Sequence, residues 1–545
     1  MAKIKQPGKV EDEDVYHEVR GFDTNGGLPT NLKRGLKARH LTMISIGGTI
    51  GTGLFLASGG AVASGGPGGA LVAYMIVGVM IYFMMASLGE MATYLPISGS
   101  FNSYAKRYID PALGFALGWN YWYSWSVTVA VEITAGSIVM QYWNRSVPTW
   151  VWSLILLMIM LGLNLFSVKG YGEAEYWFSL TKLLTVLVFI IVGFLLDLGV
   201  IGDPPTKIGG SVFGYETFHA GFTGLFSVFL AAGFSFQGTE LVGIAAGESS
   251  NPRKHVPKAI RQVFWRILLF YILAIFVIGL LIKYDDPRLL NNSGPSGVAV
   301  SPFTLVFSMT GFTAAPHLMN AVIMITVLSA GNSGLYASSR VLYNLALEGF
   351  APKIFGKASK NGIPIAALLM TASVGCFAFF MSLFGDGRVY TWLLNLSGVS
   401  GFITWAGISF THWRFRRAYV AQKRPMSELY YRASFYPFGP IFALVLILIV
   451  IGGQGYVSLQ MHENEGKYNS QASAIIAAYI GAPVFLLLYL GFKFIKGTKI
   501  VPLLECDFDT DRRVYDPEVD PALERSQEKK VHENIIWRGV KDVLY

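Results

Sequence analysis

The sequence predicts an all-α polytopic membrane protein with twelve transmembrane helices. Of its 545 residues, 53% are hydrophobic and only 14% are charged, and the mean hydropathy is +0.46. Soluble chains carry about a quarter charged residues. Apolar runs of about 20 residues, long enough to cross a bilayer as a helix, recur along most of the chain. Together these observations argue against a soluble fold.

The positions of the apolar runs predict where each span lies. The twelve spans are expected at residues 41–59, 69–94, 113–140, 148–168, 174–200, 221–247, 263–283, 317–340, 364–385, 389–411, 435–453 and 472–492. Two polar tails flank them, residues 1–40 and 493–545, and part of each is expected to be flexible. The first tail lacks the apolar core of a signal peptide, so the first span itself is expected to target the chain.

The distribution of positive charge predicts the orientation. If the N-terminus is cytoplasmic, 36 of the 43 Lys and Arg residues fall on the cytoplasmic side and 6 in the outside loops. This asymmetry places both termini in the cytoplasm. The net charge of +9 then reflects membrane topology and not a nucleic-acid-binding surface.

Motifs for catalysis, nucleotides and metals are missing from the sequence. It contains no Walker loop and no H-E-x-x-H motif. Cys376 and Cys506 have no partner at metal or redox spacing. The sequence therefore predicts neither an enzyme nor a cofactor or metal site.

Two spans carry glycines where a membrane helix should be continuous. Span 1 reads MISIGGTIGTGLFLAS at residues 43–58, and span 6 reads GFSFQGTELVGIAAGES at residues 233–249. Because they lie five spans apart, they predict two five-span repeats of opposite orientation, residues 41–200 and 221–411. Two further spans follow at residues 435–492. Interrupted spans at matching positions of inverted repeats indicate a central transport site.

Broken membrane helices expose backbone groups that a ligand can use. Irregular backbone survives in a bilayer only where it lines a cavity or is buried in protein. Free N–H groups at the start of a half-helix suit a carboxylate, and free carbonyls at the end of one suit an ammonium group. A zwitterionic amino acid presents both groups. Alternatively, the glycines serve close helix packing, notably Gly47 and Gly51, which are four residues apart.

Several motifs resemble the amino-acid permeases of the amino acid–polyamine–organocation superfamily. They are SIGGTIGTGLF, LGWNYWYSW, GEAEYWFSLTK, the segment from GFSFQGTE to AIRQVFWR, SAGNSGLYASSRVLY and FTHWRFRRAYVAQ. The likeness runs from about Leu36 to Gly497, and it is greatest to the lysine-specific branch found in bacteria. It implies a LeuT-like fold of five plus five spans with two more at the C-terminal end. It also implies proton-driven import of a cationic amino acid, L-lysine first, through the bacterial inner membrane.

The resemblance also implies which residues bind substrate. The carboxylate would be received by Gly51, Thr52 and Gly53 in span 1. The α-amino group would be held by carbonyls near Phe234, Ser235 and Gln237 in span 6. Phe234 would also close over the site from outside.

Ionisable residues inside spans are further candidates, because each costs about 2.5–3.5 kcal/mol at the bilayer centre on insertion scales. Glu240 follows the break in span 6, where it could bind the cationic side chain or a proton, or cap the second half-helix. Lys182 lies about 12 Å into span 5. It either snorkels to the interface or, as the resemblance implies, gates the inside by losing and regaining a proton. Glu132 in span 3 either adds negative charge to the cavity or joins two helices. Glu248 at the inner mouth of span 6 serves inner gating or a loop ion pair.

Two residue pairs complete the predicted site. Tyr121 and Trp125 share one face of span 3, where they could attract an ammonium chain through cation–π contacts or simply pack. Asn332 and Tyr336 have the same spacing on span 8. The sequence also allows three other functions. The protein could be an amino-acid exchanger, a permease for neutral or aromatic amino acids, or a nutrient sensor that acts through a protein partner, which the sequence does not identify.

Overall fold

The computed structural model describes residues 50–97, 99–166, 168–246, 252–290, 301–359, 361–380, 386–463, 475–476, 479–510 and 512. This part of the chain is helical and contains no β-strand. Its principal helices are α1 (Ser58–Tyr94), α2 (Ser100–Tyr108), α3 (Pro111–Met140), α4 (Thr149–Phe166), α5 (Val168–Asp197), α6 (Gly221–Phe236), α7 (Leu241–Ala246), α8 (Pro252–Arg266), α9 (Leu273–Leu281), α10 (Pro302–Ser308), α11 (Ala315–Leu347), α12 (Ile365–Gly375), α13 (Asp386–Ala421), α14 (Phe438–Glu463) and α15 (Gly481–Lys496).

Long apolar helices confirm a multi-pass membrane protein. In the described part, six helical stretches are long and apolar enough to cross a bilayer, and three shorter apolar helices accompany them. The six stretches are Gly53–Tyr94, Gly172–Asp197, Gly221–Ile244, Ala315–Leu347, Val389–Ala421 and Phe438–Val457. The first half of predicted span 1, with Gly47, lies outside the described residues, as do Glu248 and most of both tails.

Helix α3 is the centre of the packing. It packs most extensively against α11 and α13, while α1 packs most extensively against α6. The first predicted span and the second join at a kink, where Gly66 has a φ of 72° and is followed by Pro67. The chain therefore groups α1 with α6, and α3 with α11 and α13.

Helix α13 runs ten residues beyond the predicted end of span 10 at residue 411. The segment FTHWRFRRAYVA continues as helix because its charged side chains find partners. Glu90, buried at the end of α1, pairs with Arg416 and lies 3.3 Å from Nε2 of His412. The backbone N–H of Ala433 donates to the same carboxylate at 2.7 Å. This cluster joins the ends of α1 and α13 on the predicted cytoplasmic side.

The start of the C-terminal tail packs against the same end of the protein. Phe508 is fully buried among the rings of Tyr94, Tyr108, Phe415 and Tyr419. Asp509 forms a bidentate pair with Arg424, whose hydrogen bonds hold the pKa of this carboxylate below its usual range. The start of the tail is therefore packed against the helices as far as this pair.

Candidate functional site

The predicted break in span 6 is present in the structure. Helix α6 ends at Phe236, Gln237 has a ψ of 141°, and Gly238 has a φ of 96°, a left-handed conformation that favours glycine. The carbonyl of Phe234 accepts the N–H of Gln237 at 3.1 Å. Helix α7 starts only at Leu241, so four residues interrupt the span.

The break in span 1 lies directly against the break in span 6. Ile50 and Gly51 are not helical, and a π-helical turn from Gly53 to Ala57 leads into α1. A Cβ atom on Gly53 would lie 2.5 Å from the Cα atom of Ser235, far inside any normal contact. The two interrupted segments therefore meet backbone to backbone, and Gly53 permits the approach.

A small cavity lies between the two breaks and α3. Its lining residues are Gly51, Gly53, Trp125, Thr128, Glu132, Phe234, Gln237 and Ala330. Six of these were predicted as substrate-binding residues, whereas Thr128 and Ala330 were not. The cavity measures about 20 Å³, enough for one or two water molecules. An amino acid can enter only if lining side chains move.

Glu132 of α3 is bonded to the start of the span 1 half-helix. The hydroxyl of Thr52 donates to its Oε1 at 2.9 Å, and the backbone amide of Thr52 faces the same carboxylate. The side chain is 2% exposed, and Oε2 has no hydrogen-bond partner among the described residues. Glu132 therefore occupies the position at which the resemblance places the substrate's carboxylate.

Glu240 is surrounded by donors from the protein itself. Its carboxylate accepts the Tyr121 hydroxyl and the Trp405 indole N–H at 3.1 Å each, and the N–H of Gly238 at 3.2 Å. The Thr239 hydroxyl adds a longer contact of 3.4 Å. The carboxylate therefore joins a backbone N–H of the break to side chains of α3 and α13, and its backbone donor Gly238 precedes the second half-helix α7. Neither Glu240 nor Tyr121 lines the cavity.

The side chain of Gln237 joins the break to two neighbouring helices. Its amide donates to Ser124 of α3 at 2.6 Å, and its carbonyl accepts the hydroxyl of Ser397 of α13 at 2.9 Å. Ser397 lies in turn 2.6 Å from the hydroxyl of Thr128. This neutral network fixes the position of the break relative to α3 and α13.

Lys182 of α5 is fully buried and does not snorkel to the surface. Its ammonium group interacts electrostatically with Glu175 of the same helix and with Glu132. The hydroxyl of Ser329 on α11 donates to Glu175 at 2.5 Å. Lys182 is thereby connected to the cavity through Glu132 and lies between two carboxylates.

The predicted pair on span 8 points elsewhere. Asn332 accepts the amide of Asn164 at 2.6 Å, and this contact joins α11 to α4. The ring of Tyr336 lies 3.5 Å from the guanidinium carbon of Arg340. Neither residue lines the cavity. In the described part of the chain, no group of His, Cys, Asp and Glu side chains could hold a metal ion.

Comparison with known proteins identifies the family. The profile described as "Amino acid permease" matches residues 40–505. The chain belongs to the amino acid permease family. It is thus a transporter and not an enzyme, as predicted.

Three relatives of this permease match most of its length. The lysine-specific permease LysP of Escherichia coli (strain K12) is 52% identical over 478 residues, which cover 88% of the permease and 96% of the relative. The lysine-specific permease LysP of Lactococcus lactis subsp. cremoris (strain MG1363) is 50% identical over 500 residues, covering 90% and 96%. The histidine permease HisP of the same Lactococcus lactis strain is 47% identical over 484 residues, covering 88% and 99%.

Sequence reasoning missed some residues of the site in this permease. Glu175 was overlooked because span 5 was expected to begin near Ala174, which put Glu175 at the interface; the helix begins at Val168. Tyr390 of α13 was missed because a tyrosine near a span end resembles an interfacial anchor. Its hydroxyl is buried and interacts with Thr52 and Glu132.

Proposed function

We propose that this permease imports a cationic amino acid, L-lysine first, together with a proton. The observation that carries the proposal is the buried cluster of Glu132, Lys182 and Glu175, one end of which lines the cavity at the broken helices. A binding site linked to buried ionisable groups can couple substrate binding to proton binding. The charge of the bound substrate changes the proton affinity of these groups, and their protonation changes the affinity for the substrate. The names of the LysP relatives support lysine as the substrate.

Import follows by alternating access. Spans 1 and 6, which contain the two breaks, would move against spans 3, 4, 8 and 9, which correspond to α3, α4, α11 and α12, with the predicted inverted repeat relating the two sides. The helix packing supports a division into two groups of helices. Helix α1, which continues span 1 into span 2, packs most extensively on α6, and α3 packs most extensively on α11 and α13. Phe234 closes the outside, and Thr52 and Gly53 receive the carboxylate. Both termini face the cytoplasm, and the membrane is the bacterial inner membrane.

Reconstitution in liposomes tests the function. Labelled lysine is supplied outside, an inward proton gradient is imposed, and sodium is absent. We expect accumulation that a protonophore abolishes. Uptake that ignores the gradient would eliminate proton symport. Stronger competition by leucine or phenylalanine than by unlabelled lysine would eliminate the cationic substrate.

Histidine is the second candidate substrate, because HisP is 47% identical over nearly its full length. The same liposomes report on it directly. Unlabelled histidine should compete more weakly than unlabelled lysine when both are added at equal concentration. The reverse order would make histidine the substrate of this permease.

Lys182→Met tests the coupling role of the buried ammonium group. The variant should exchange lysine across the membrane yet fail to accumulate it against a gradient, because it can neither lose nor regain a proton. Lys207→Met, at an exposed outside position, is the matched control and should behave as the wild type. Normal gradient-driven accumulation in Lys182→Met would contradict the assigned role.

A further inference from the structure

Glu175 is a buried carboxylate of α5 to which the proposed transport cycle assigns no step of its own. Its side chain is fully buried in α5, although the helix is apolar for most of its length. An isolated ionised carboxylate in such a position is costly, so it is expected to be paired or to have a function. Its surroundings show which of these applies.

The neighbours of Glu175 come from two helices. From α11, the hydroxyl of Ser329 donates to it at 2.5 Å, and the side chain of Ser333 faces it. From α5 itself, Lys182 lies seven residues further along the chain. Seven residues are about two helical turns, or roughly 10 Å along the axis, so both side chains project from the same face. Side chains lean toward the N-terminal end of a helix, and Lys182 therefore reaches toward Glu175.

Three ionisable groups are thus linked by pairwise interactions, with Lys182 as the shared partner, and are called the Glu132–Lys182–Glu175 line. Glu132 lines the cavity, Lys182 interacts with both carboxylates, and Glu175 lies nearest the start of α5. With the predicted orientation, the start of α5 faces the cytoplasm. The order from the substrate cavity inward is therefore Glu132, Lys182, Glu175. The other polar groups that face the line are Thr52, Ser329, Ser333 and Tyr390.

The charges of this line favour one additional proton. With all three groups ionised, two carboxylates and one ammonium group leave a net charge of −1 in a buried region. Removing an ion from water carries a penalty of several kcal/mol that only a partner offsets. Lys182 can offset one carboxylate, and a single proton on the other carboxylate makes the line neutral. The cluster is therefore built to hold one exchangeable proton.

We propose that Glu175 accepts the transported proton from Lys182 on the cytoplasmic side and releases it to the inside. In this step an N–H bond of the Lys182 ammonium group breaks and an O–H bond forms on the Glu175 carboxylate, leaving a neutral amine and a carboxylic acid. The acid then gives its proton to cytoplasmic water, and the amine is reprotonated from the cavity side. The inference rests on the proposed function, proton symport.

Glu175→Gln tests the step because it removes the acceptor and keeps the shape. Glu173→Gln is the matched control, since it is the same change two residues away at a partly exposed position. Each variant is reconstituted in liposomes with the membrane potential clamped at zero. Exchange of labelled for unlabelled lysine at equal pH measures binding and alternating access. Accumulation under a gradient of one pH unit measures coupling, and one proton per lysine permits about tenfold accumulation.

We expect Glu175→Gln to exchange lysine within about twofold of the wild-type rate but to show no accumulation. Glu173→Gln should both exchange and accumulate lysine like the wild type. Accumulation by Glu175→Gln at the wild-type level overturns the inference and leaves proton symport intact. Loss of exchange in a correctly folded Glu175→Gln also overturns it, because Glu175 would then support binding. A wild type that exchanges but never accumulates lysine removes the proposed function itself, and with it the role of Glu175.

Glu175→Asp provides a second test if Glu175→Gln does not fold. It keeps a carboxylate but moves it about one bond length away from Lys182. We expect accumulation to persist at a reduced rate, with a changed dependence on the inside pH. A rate and an inside-pH profile identical to those of the wild type would overturn the inference.

Discussion

The backbone approach between Gly53 and Ser235 gives a sharp prediction for Gly53→Ala. The added Cβ would lie 2.5 Å from Ser235 Cα and 2.9 Å from both its backbone nitrogen and its Oγ. Backbone atoms cannot rotate aside, so the two broken segments must separate by about 1 Å to restore normal contact. Overpacking costs about 1–3 kcal/mol, and the upper end applies here. The higher helix propensity of Ala returns at most about 1 kcal/mol, which leaves a net loss of about 2 kcal/mol.

Gly60→Ala is the control because it is the same substitution seven residues further along, in the first turn of α1. A Cβ on Gly60 meets no atom within 4 Å, so only the gain in helix propensity remains. Both variants are compared with the wild type by melting in detergent and by exchange of labelled lysine in liposomes. Gly53→Ala should melt lower, and its lysine affinity should fall about tenfold to thirtyfold if the loss falls on the bound state. The reasoning is wrong if Gly53→Ala melts and exchanges like Gly60→Ala.

Three further variants test separate parts of the structure. Glu240→Gln should abolish most uptake and lower the melting temperature, because the amide accepts at one oxygen only, whereas both carboxylate oxygens accept from Tyr121, Trp405 and Gly238. A donor left without an acceptor costs about 1–3 kcal/mol, and normal uptake would contradict the prediction. Glu132→Gln should still accept the Thr52 hydroxyl but lose the negative charge, so lysine uptake should fall while the melting temperature changes little. Uptake equal to that of the wild type would show that the charge is unnecessary. Phe508→Ala should destabilise the protein by up to about 3–5 kcal/mol, and by less if the start of the tail detaches. An unchanged melting curve would show that burial of Phe508 contributes nothing to stability.

The sequence predicted the two broken helices well because the breaks are encoded locally. A left-handed residue at Gly238 and a close approach at Gly53 both require glycine, and such residues are conspicuous in an apolar run. The six predicted cavity residues lie on or directly opposite these breaks. Local composition was therefore enough to identify the segments that meet, although they are separated by about 180 residues in the chain.

Interactions between distant segments could not be predicted in the same way. Glu132 is 80 residues from Thr52, and nothing in either local pattern pairs them. Two of the donors around Glu240 come from α3 and α13, which is why the sequence left open both a cap and a site for a cation or a proton. Burial of Phe508 depends on four rings that lie on three other helices, α1, α2 and α13, so the composition of the tail alone suggested that part of it is flexible.

The position of Glu132 connects substrate binding with the buried cluster. The start of the span 1 half-helix offers few free N–H groups, and in this structure the Thr52 hydroxyl and amide face Glu132. A substrate carboxylate that binds Thr52 must displace this side chain, since two carboxylates at one donor repel each other. The displaced group is still tied to α3, and its other electrostatic partner is Lys182. If lysine binds as proposed, its binding and the charge state of Lys182 are linked through this one side chain.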